Sequence, residues 1–223
     1  MPPNDSGQPP AGFSVLYICH ANRCRSAAAE LLLIDALRRT PAPIGWTVRS
    51  AGVGAIDGQP VVAELGELLS ERGIDAGAFR SEPLDAEMVA EADLILTAER
   101  GQRAAVLALD PSAHAKTFTM VQFERLTAGQ AGPREAGSQP PDGSELITAA
   151  LSQRGLNEPL DPADDDIADP VGHGRRAIAR AVNRIDRTVA ALVGRPAPEA
   201  ATEPAAERRR PSLWNRLRRN RTD

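Results

Sequence analysis

The sequence predicts an α/β protein with a doubly wound, four-stranded parallel sheet flanked by helices. Short apolar segments typical of strands alternate with longer segments whose apolar residues recur at helical spacing. Strands are expected at about residues 13–19, 46–52, 92–97 and 116–119. Because parallel strands are joined by right-handed crossovers, usually through a helix, this alternation favours a sheet covered on both faces.

The expected helices have recognisable ends. The first covers about residues 26–39, the second begins at Pro60 and stops at Gly73, and another covers residues 99–109. The last core helix, at about residues 175–193, carries a stripe of apolar residues that indicates a core face. These are Ile178, Val182, Ile185, Val189 and Leu192.

The junction of the first strand and the first helix holds the clearest chemistry. Cys19 and Arg25 stand six positions apart in the segment CHANRCRS, and Ser26 follows. Such a loop points its backbone N–H groups inward as an anion nest, and the helix N-terminus adds the positive end of its dipole. Arg25 adds a planar, two-pronged donor for phosphate oxygens, and Ser26 a donor to a thiolate. We therefore expect Cys19 to be a nucleophile near neutral pH. The expected phosphate-binding residues are His20, Ala21, Asn22, Arg23, Cys24, Arg25 and Ser26.

The segment from Val15 to Ser26 resembles the active-site signature of the low-molecular-weight protein tyrosine phosphatases. In that family a strand ends in the nucleophilic cysteine, an asparagine follows three residues later, and a second cysteine precedes an Arg-Ser pair. This chain has Cys19, Asn22, Cys24, Arg25 and Ser26 in that register. Asp169-Pro170 is similar to the Asp-Pro pair that carries the general acid late in the family's sequences. The resemblance is to bacterial members and implies a three-layer, flavodoxin-like topology.

The resemblance also implies a function. It implies a metal-independent phosphatase that hydrolyses phosphotyrosine, an aryl phosphate monoester, through a cysteinyl-phosphate intermediate and without a cofactor. Cys19 is expected to attack phosphorus while Arg25 stabilises the equatorial oxygens. Asp169 is expected to protonate the leaving phenolate and then to activate water. The implied partner is a phosphotyrosine protein, such as a bacterial tyrosine kinase.

Two further roles are expected around the loop. The resemblance implies that Ser50, at the end of the second strand, hydrogen-bonds Asn22 and keeps the loop rigid; a serine bonded to its own backbone is the alternative. Cys24 is a candidate redox partner, since a disulfide with oxidised Cys19 is reversible by thiols. The alternative for Cys24 is a small packing residue.

The chain departs from the family pattern at two places. Ala27 stands where the family usually has proline. After Asp169-Pro170, where relatives often carry aromatic residues that flank the substrate ring, this chain has Val171, Gly172, His173 and Gly174. His20 and His173 are candidates to replace part of that wall. The general-acid assignment is unaffected, but the case for phosphotyrosine is weaker.

Two other functions remain open from the sequence. An arsenate reductase on the same scaffold would also use Cys19 and Arg25, because arsenate mimics phosphate. The thioredoxin-coupled type needs a downstream cysteine and none follows Cys24, whereas a version relayed by a small thiol stays open. The other alternative is a non-catalytic phosphate-binding module.

Composition and charge indicate how the rest of the chain is divided into domain, linker and termini. The expected parts are a disordered lead at 1–12, a phosphatase-like domain at 13–194 with an expanded loop at about 128–166, and a Pro/Ala linker with a basic tail at 195–223. The lead has neither the basic flank nor the apolar segment of a secretory signal. With both cysteines in one loop, we expect no disulfide scaffold, no metal site and a cytoplasmic location.

Two charged segments each allow more than one interpretation. Residues 207–223 hold seven arginines and two acidic residues, beside Trp214 and Leu217. This tail is interpreted either as solubilising or as a weak contact with an anionic membrane surface or acidic partner; nucleic acid is not expected, because the rest of the chain is acidic. The acidic run at 161–166 is expected to be a solvated loop, with a metal site or an electrostatic effect that keeps Asp169 protonated as alternatives.

Overall fold

The computed structural model describes residues 12–39, 45–128 and 142–195, and a parallel sheet lies at the centre of that part of the chain. Its four strands are β1 (Ser14–Cys19), β2 (Thr47–Gly52), β3 (Leu94–Thr97) and β4 (Thr117–Thr119). All neighbours are parallel, in the order β2-β1-β3-β4. The predicted doubly wound α/β fold is confirmed. Because the strand order reverses beside β1, the carboxyl end of β1 lies where such sheets place their sites.

Helices connect and cover these strands. They are α1 (Arg25–Arg39), α2 (Ala63–Glu71), α3 (Ala86–Glu91), α4 (Arg100–Leu109), α5 (Met120–Thr127), α6 (Gly143–Gln153) and α7 (Arg175–Leu192). Two short 3-10 helices lie at Pro111–Lys116 and Pro162–Asp165. None of the helices in the described residues has the length and apolar character needed to cross a bilayer.

The strands alternate their side chains between two cores. Val15 and Tyr17 of β1 face a large cluster formed with α1, α2, α5, α6 and α7, while Leu16 and Ile18 face a smaller one formed with α3 and α4. The apolar stripe predicted on the last helix lies in the larger cluster. Its members Ile178, Val182, Ile185, Val189 and Leu192 are all buried. Helices on both faces of the sheet give the expected three layers.

Two short helices escaped the sequence analysis. α3 has six residues, and the carboxylate of Asp85 caps it by accepting from the backbone N–H of Met88. α5 follows β4 without a connecting loop, and the Thr119 side chain caps it by accepting from the N–H of Gln122. Helices this short offer too few turns for a helical period to stand out.

Only part of the acidic run is the solvated loop that the sequence suggested, since Asp161 and Asp164 are exposed. Asp165 is buried and paired with Arg125, and Asp166 is paired with Arg100. No group of three metal-ligating side chains occurs within residues 12–39, 45–128 and 142–195. The predicted lead up to residue 11, the basic tail at 207–223 and residues 129–141 of the loop expected at about 128–166 lie outside the described residues. The described part of that loop is not all irregular, because it contains α6 and the 3-10 helix Pro162–Asp165.

Candidate active site

The segment from Cys19 to Ser26 forms a loop at the carboxyl edge of the sheet. Cys19 is the last residue of β1, and α1 begins at Arg25. The loop is tied to the segment after β2, because the N–H groups of Val53 and Gly54 donate to the carbonyls of Cys19 and His20 at 3.1 and 2.9 Å. The Cys19 Sγ atom lies 3.0 Å from the Ser26 Oγ atom. The Cys19 thiol and a hydroxyl partner therefore lie together where the two ends of the loop meet.

Asn22 is the residue that holds the loop in shape. Its φ of 53° is left-handed, a conformation that asparagine tolerates better than most residues. Its buried Nδ2 atom donates to Ser26 Oγ at 2.8 Å and to Ser50 Oγ at 2.7 Å. Its Oδ1 atom accepts from the Glu82 N–H at 2.8 Å. One side chain thus joins the loop to β2 and to the segment before α3.

Glu30 extends the hydrogen-bond network of Asn22 and Ser50. It lies on α1, one turn after Ser26, and its Oε2 atom accepts from the Ser50 hydroxyl at 2.5 Å. Burial raises the pKa of Glu30 above its ordinary value, while the hydrogen bond from Ser50 opposes that rise. The Ser50 hydroxyl is therefore directed at Glu30, which leaves its oxygen to accept from Asn22. Sequence analysis missed Glu30, although its one-turn spacing from Ser26 was a usable signal.

Arg25 is a buried cation surrounded by acceptors. Its side chain is 2 % exposed, and NH1 donates to Glu99 Oε1 at 2.5 Å and to the Ile167 carbonyl at 2.7 Å. Its NH2 atom lies 3.2 Å from Asp169 Oδ2. Glu99 is itself held, because its Oε2 atom accepts from Gln102 Nε2 at 2.8 Å. The guanidinium plane is fixed from several directions, and the sequence analysis did not identify Glu99.

Asp169 reaches the loop from the segment that precedes α7. Its side chain is 50 % exposed, and Oδ1 accepts from the Val171 N–H at 3.3 Å. Pro170 behind it is buried. The carboxylate is thus placed beside Arg25 while one side stays open, the arrangement that proton exchange with a bound group requires.

Two further loop side chains, those of Cys24 and His20, have different surroundings. Cys24 is 4 % exposed, and burial, with the nearby Cys19 and Asp169, raises the pKa of its thiol to about 12 against the opposing effect of Arg25. His20 is exposed and its ring lies against Gly54, where a Cβ atom would come within 2.8 Å of the ring. Both cysteines are free thiols.

The exposed apolar side chains near the loop are aliphatic. Val53 and Ile56 follow β2, and Val171 follows Asp169-Pro170. His173 is exposed, and its backbone N–H donates to the Pro170 carbonyl at 3.1 Å. The structure thus brings Cys19, the loop residues, Ser50 and Asp169 together, and it records no contact between the His173 side chain and the described part of the loop.

The fold and this loop define a class of protein, an α/β enzyme with a cysteine and a buried arginine in the loop after its first strand. The model of the low molecular weight phosphotyrosine protein phosphatases matches residues 14–132, which is more than half of the chain. The chain belongs to that family, and it is a phosphatase.

Relatives carry two different names. The chain is 34% identical over 113 residues to a probable low molecular weight protein-tyrosine-phosphatase, EpsP, of Ralstonia solanacearum, covering 51% of this chain and 74% of that protein. It is 32% identical over 147 residues to a protein-arginine-phosphatase of Geobacillus stearothermophilus, covering 64% of this chain and 95% of that protein. The solved YwlE arginine phosphatase from Geobacillus stearothermophilus superposes with a TM-score of 0.58 and 26% identity, over 81% of this chain and 90% of that one.

Proposed function

We propose that this phosphatase hydrolyses aryl phosphate monoesters, with phosphotyrosine on proteins as its substrate, through a cysteinyl-phosphate intermediate. The observation that carries the proposal is the convergence on one loop of the Cys19 thiol, the Arg25 guanidinium and the Asp169 carboxylate. Arg25 NH2 stands 3.2 Å from Asp169 Oδ2, so a phosphoryl group seated on Arg25 lies within reach of the acid.

The first step is phosphoryl transfer to sulfur. The Cys19 thiolate attacks phosphorus and the P–O bond to the phenol breaks, while the loop N–H groups and Arg25 stabilise charge on the three equatorial oxygens. Ser26, 3.0 Å from the sulfur, donates a hydrogen bond to the thiolate. Because the loop, the helix end and Arg25 supply the positive field, this scheme uses no metal or cofactor.

Asp169 serves in both steps. As the protonated acid it delivers its proton to the leaving phenolate, a contribution of roughly 100- to 10,000-fold for a general acid. As the resulting carboxylate it takes a proton from the water that attacks the cysteinyl phosphate. Phosphate then leaves and Cys19 returns as thiolate. The exposed side of Asp169 is where the leaving group and the water exchange.

A protein-arginine phosphatase is the second candidate. The relative of that name aligns over 95% of its own length, more than the 74% covered of the tyrosine phosphatase EpsP. The rim residue beside the acid is Val171, an aliphatic side chain that is 46% exposed, and the exposed large apolar side chains of the described residues include no aromatic ring to flank a phenol. Hydrolysis of a P–N bond would use the same nucleophile and the same acid.

We further propose where the enzyme works. We place it in the cytoplasm, acting on phosphotyrosine proteins that include a bacterial tyrosine kinase, and assign the catalytic domain to residues 13–194. The free thiols of Cys19 and Cys24 suit a reducing compartment. Cys24 is proposed as the redox partner of Cys19, and Ser50 as a supporting residue of the loop.

The test is hydrolysis of an aryl phosphate between about pH 5 and 8 in the presence of a chelator. Wild type is compared with Cys19→Ser and Asp169→Asn; the first is expected to abolish turnover and the second to lower kcat by roughly 100-fold or more. Matched phosphotyrosine and phosphoarginine peptides then decide the substrate. If the phosphoarginine peptide is turned over faster, phosphoarginine and not phosphotyrosine is the substrate. If the wild type is inactive on all of these phosphates, the next assay is reduction of arsenate with a thiol donor.

A further inference from the structure

We propose that Asp165 and Arg125 are a positioning pair for the general acid. Their buried ion pair fixes the segment that carries Asp169, so that the carboxyl of Asp169 meets the leaving-group oxygen. This inference rests on the general-acid role proposed for Asp169. It assigns a purpose to the acidic run at 161–166, which the mechanism above does not use.

The pair differs from an ordinary surface ion pair in its burial and in its number of hydrogen bonds. Asp165 is 6 % exposed. Arg125, on α5, donates to it through three hydrogen bonds, from NH2 to Oδ2 at 2.8 Å, from NH2 to Oδ1 at 3.1 Å and from Nε to Oδ1 at 3.3 Å. A buried ion pair often contributes little net stability, because desolvating two charges costs about as much as their attraction returns. Its clearer effect is to fix the place where two segments meet.

The two residues after Asp165 are also anchored, and they lie between the ion pair and Asp169 in the chain. Asp166 accepts from the backbone N–H of Arg100 at 2.8 Å and from the Arg100 guanidinium at 3.0 Å. The N–H of Ile167 donates to the Ala98 carbonyl at 2.8 Å. Three consecutive residues are therefore bound to α5, to the start of α4 and to the residue that follows β3.

The last link is the catalytic arginine itself. The Ile167 carbonyl accepts from Arg25 NH1 at 2.7 Å, and Ala168 alone separates Ile167 from Asp169. Asp169 is half exposed, and its recorded contacts are the Val171 N–H and Arg25. Since few groups hold Asp169 directly, its position depends on the anchored segment before it.

The chain supplies its own control beside the pair. Asp164 has the same side chain, precedes Asp165 directly and is exposed. Within the described residues it takes part in no ion pair, whereas Asp165 does. Replacing each by asparagine removes the same charge at nearly the same distance along the chain from Asp169. A difference between the two variants therefore reports the Arg125 contact and not the loss of negative charge.

The position of a general acid has a kinetic signature that stability lacks. A basic leaving group needs the proton of Asp169, whereas an activated one such as dinitrophenolate departs without it. A misplaced acid therefore slows phenyl phosphate far more than dinitrophenyl phosphate. A variant that only unfolds part of the enzyme lowers both rates by the same factor.

The experiment measures kcat for a series of aryl phosphates whose leaving groups range from dinitrophenol to phenol. Asp165→Asn and Arg125→Gln are each expected to slow phenyl phosphate by about 10- to 100-fold and dinitrophenyl phosphate by less than about 3-fold, as a partial loss of general-acid catalysis predicts. Asp164→Asn should match wild type. The double variant Asp165→Asn/Arg125→Gln should be no slower than either single variant, because the two residues act as one unit.

The outcomes separate this inference from the proposed function. Asp169→Asn is measured on the same series; if it shows no dependence on the leaving group, the general-acid role fails and the positioning pair fails with it. If Asp169→Asn shows that dependence and Asp165→Asn does not, the pair is structural and the proposed function stands. Should Asp165→Asn fail to fold, Arg125→Lys carries the test, because it keeps the charge and loses the two-pronged contact.

Discussion

The thiol of Cys24 illustrates how much one residue's surroundings decide its chemistry. It lies buried in the loop of residues 19–26, and its raised pKa of about 12 keeps it protonated near neutral pH. Thiolates, not thiols, attack alkylating agents. As a redox partner it would react with a sulfenic acid on Cys19, forming the S–S bond as its proton and the hydroxyl leave as water. Such a role requires prior oxidation of Cys19, since Cys24 is a poor nucleophile by itself.

We expect iodoacetamide to modify Cys19 and to leave Cys24 unmodified between about pH 6 and 8. The reason is that the raised pKa of Cys24 makes its thiolate scarce throughout this range. The measurement is peptide mass spectrometry after timed alkylation of wild type and Cys19→Ser, with a denatured sample as the control in which both residues react. Modification of Cys24 in folded Cys19→Ser at the denatured rate would contradict the prediction.

Spacing in the sequence can indicate that site residues lie together only where these residues are neighbours along the chain. Cys19 and Arg25 belong to one short segment, so their spacing alone indicates a loop around an anion. Glu99 contacts Arg25 across 74 positions and Ser50 contacts Glu30 across 20. Contacts of that kind are created by the packing of β3 and β2 beside β1, and a single sequence contains no periodic signal for them.

At the scale of secondary-structure elements, the loop depends on the close approach of the end of β2. Gly52 pairs with Cys19 in the sheet, and a Cβ atom placed on it would lie 2.5 Å from the His20 carbonyl oxygen and 2.8 Å from the Asn22 nitrogen. Both neighbours are backbone atoms of the loop of residues 19–26, which cannot rotate away as a side chain would. A glycine at this position therefore lets β2 support the loop directly.

We expect Gly52→Ala to lower the free energy of unfolding by about 1–3 kcal/mol, the usual cost of overpacking a dense region, and to weaken phosphate binding. Gly101→Ala is the matched control, since Gly101 lies in α4 and an added Cβ would meet nothing within 4 Å beyond its chain neighbours and the backbone of its own helix. That change should stabilise the protein by about 0.5–1 kcal/mol, because alanine favours helix over glycine.

Urea unfolding and inhibition by inorganic phosphate measure these two effects. If Gly52→Ala unfolds at the wild-type urea concentration and keeps the wild-type inhibition constant, the close approach of β2 does not support the loop. If Gly101→Ala destabilises as much as Gly52→Ala, the cost reflects alanine at any glycine position and not the contact with the loop.

The length of a helix decides whether the sequence could predict it. α1 and α7 are 15 and 18 residues long, and their apolar stripes cover several turns. The eight residues of α5 follow β4 directly, so the sequence changes from strand to helix without a glycine or proline to mark the boundary. α5 nevertheless carries Arg125, which we propose as one half of the positioning pair, so an element too short to predict can bear on the site.

For the whole molecule, charge is distributed unevenly along the chain. Residues 207–223, which lie outside the described residues, carry a net charge of +5, which leaves the first 206 residues at −9 in a chain of −4. Each basic residue near an anionic membrane surface contributes about 1 kcal/mol of attraction, which salt screens over about 8–10 Å. Trp214 and Leu217 lie among the arginines, and such residues insert at the interface of lipid and water.

We expect the full chain to co-sediment with vesicles that contain anionic lipid, and to be released at about 0.5 M salt, because screening removes most of the electrostatic attraction. A chain ending at residue 206 and vesicles of neutral lipid are the controls. Trp214→Ala/Leu217→Ala separates charge from insertion, since it keeps every arginine and removes the apolar contact. Equal sedimentation with and without residues 207–223 would show that the tail does not bind the membrane and would favour a solubilising role. The rest of the chain is acidic, so an anionic surface repels it.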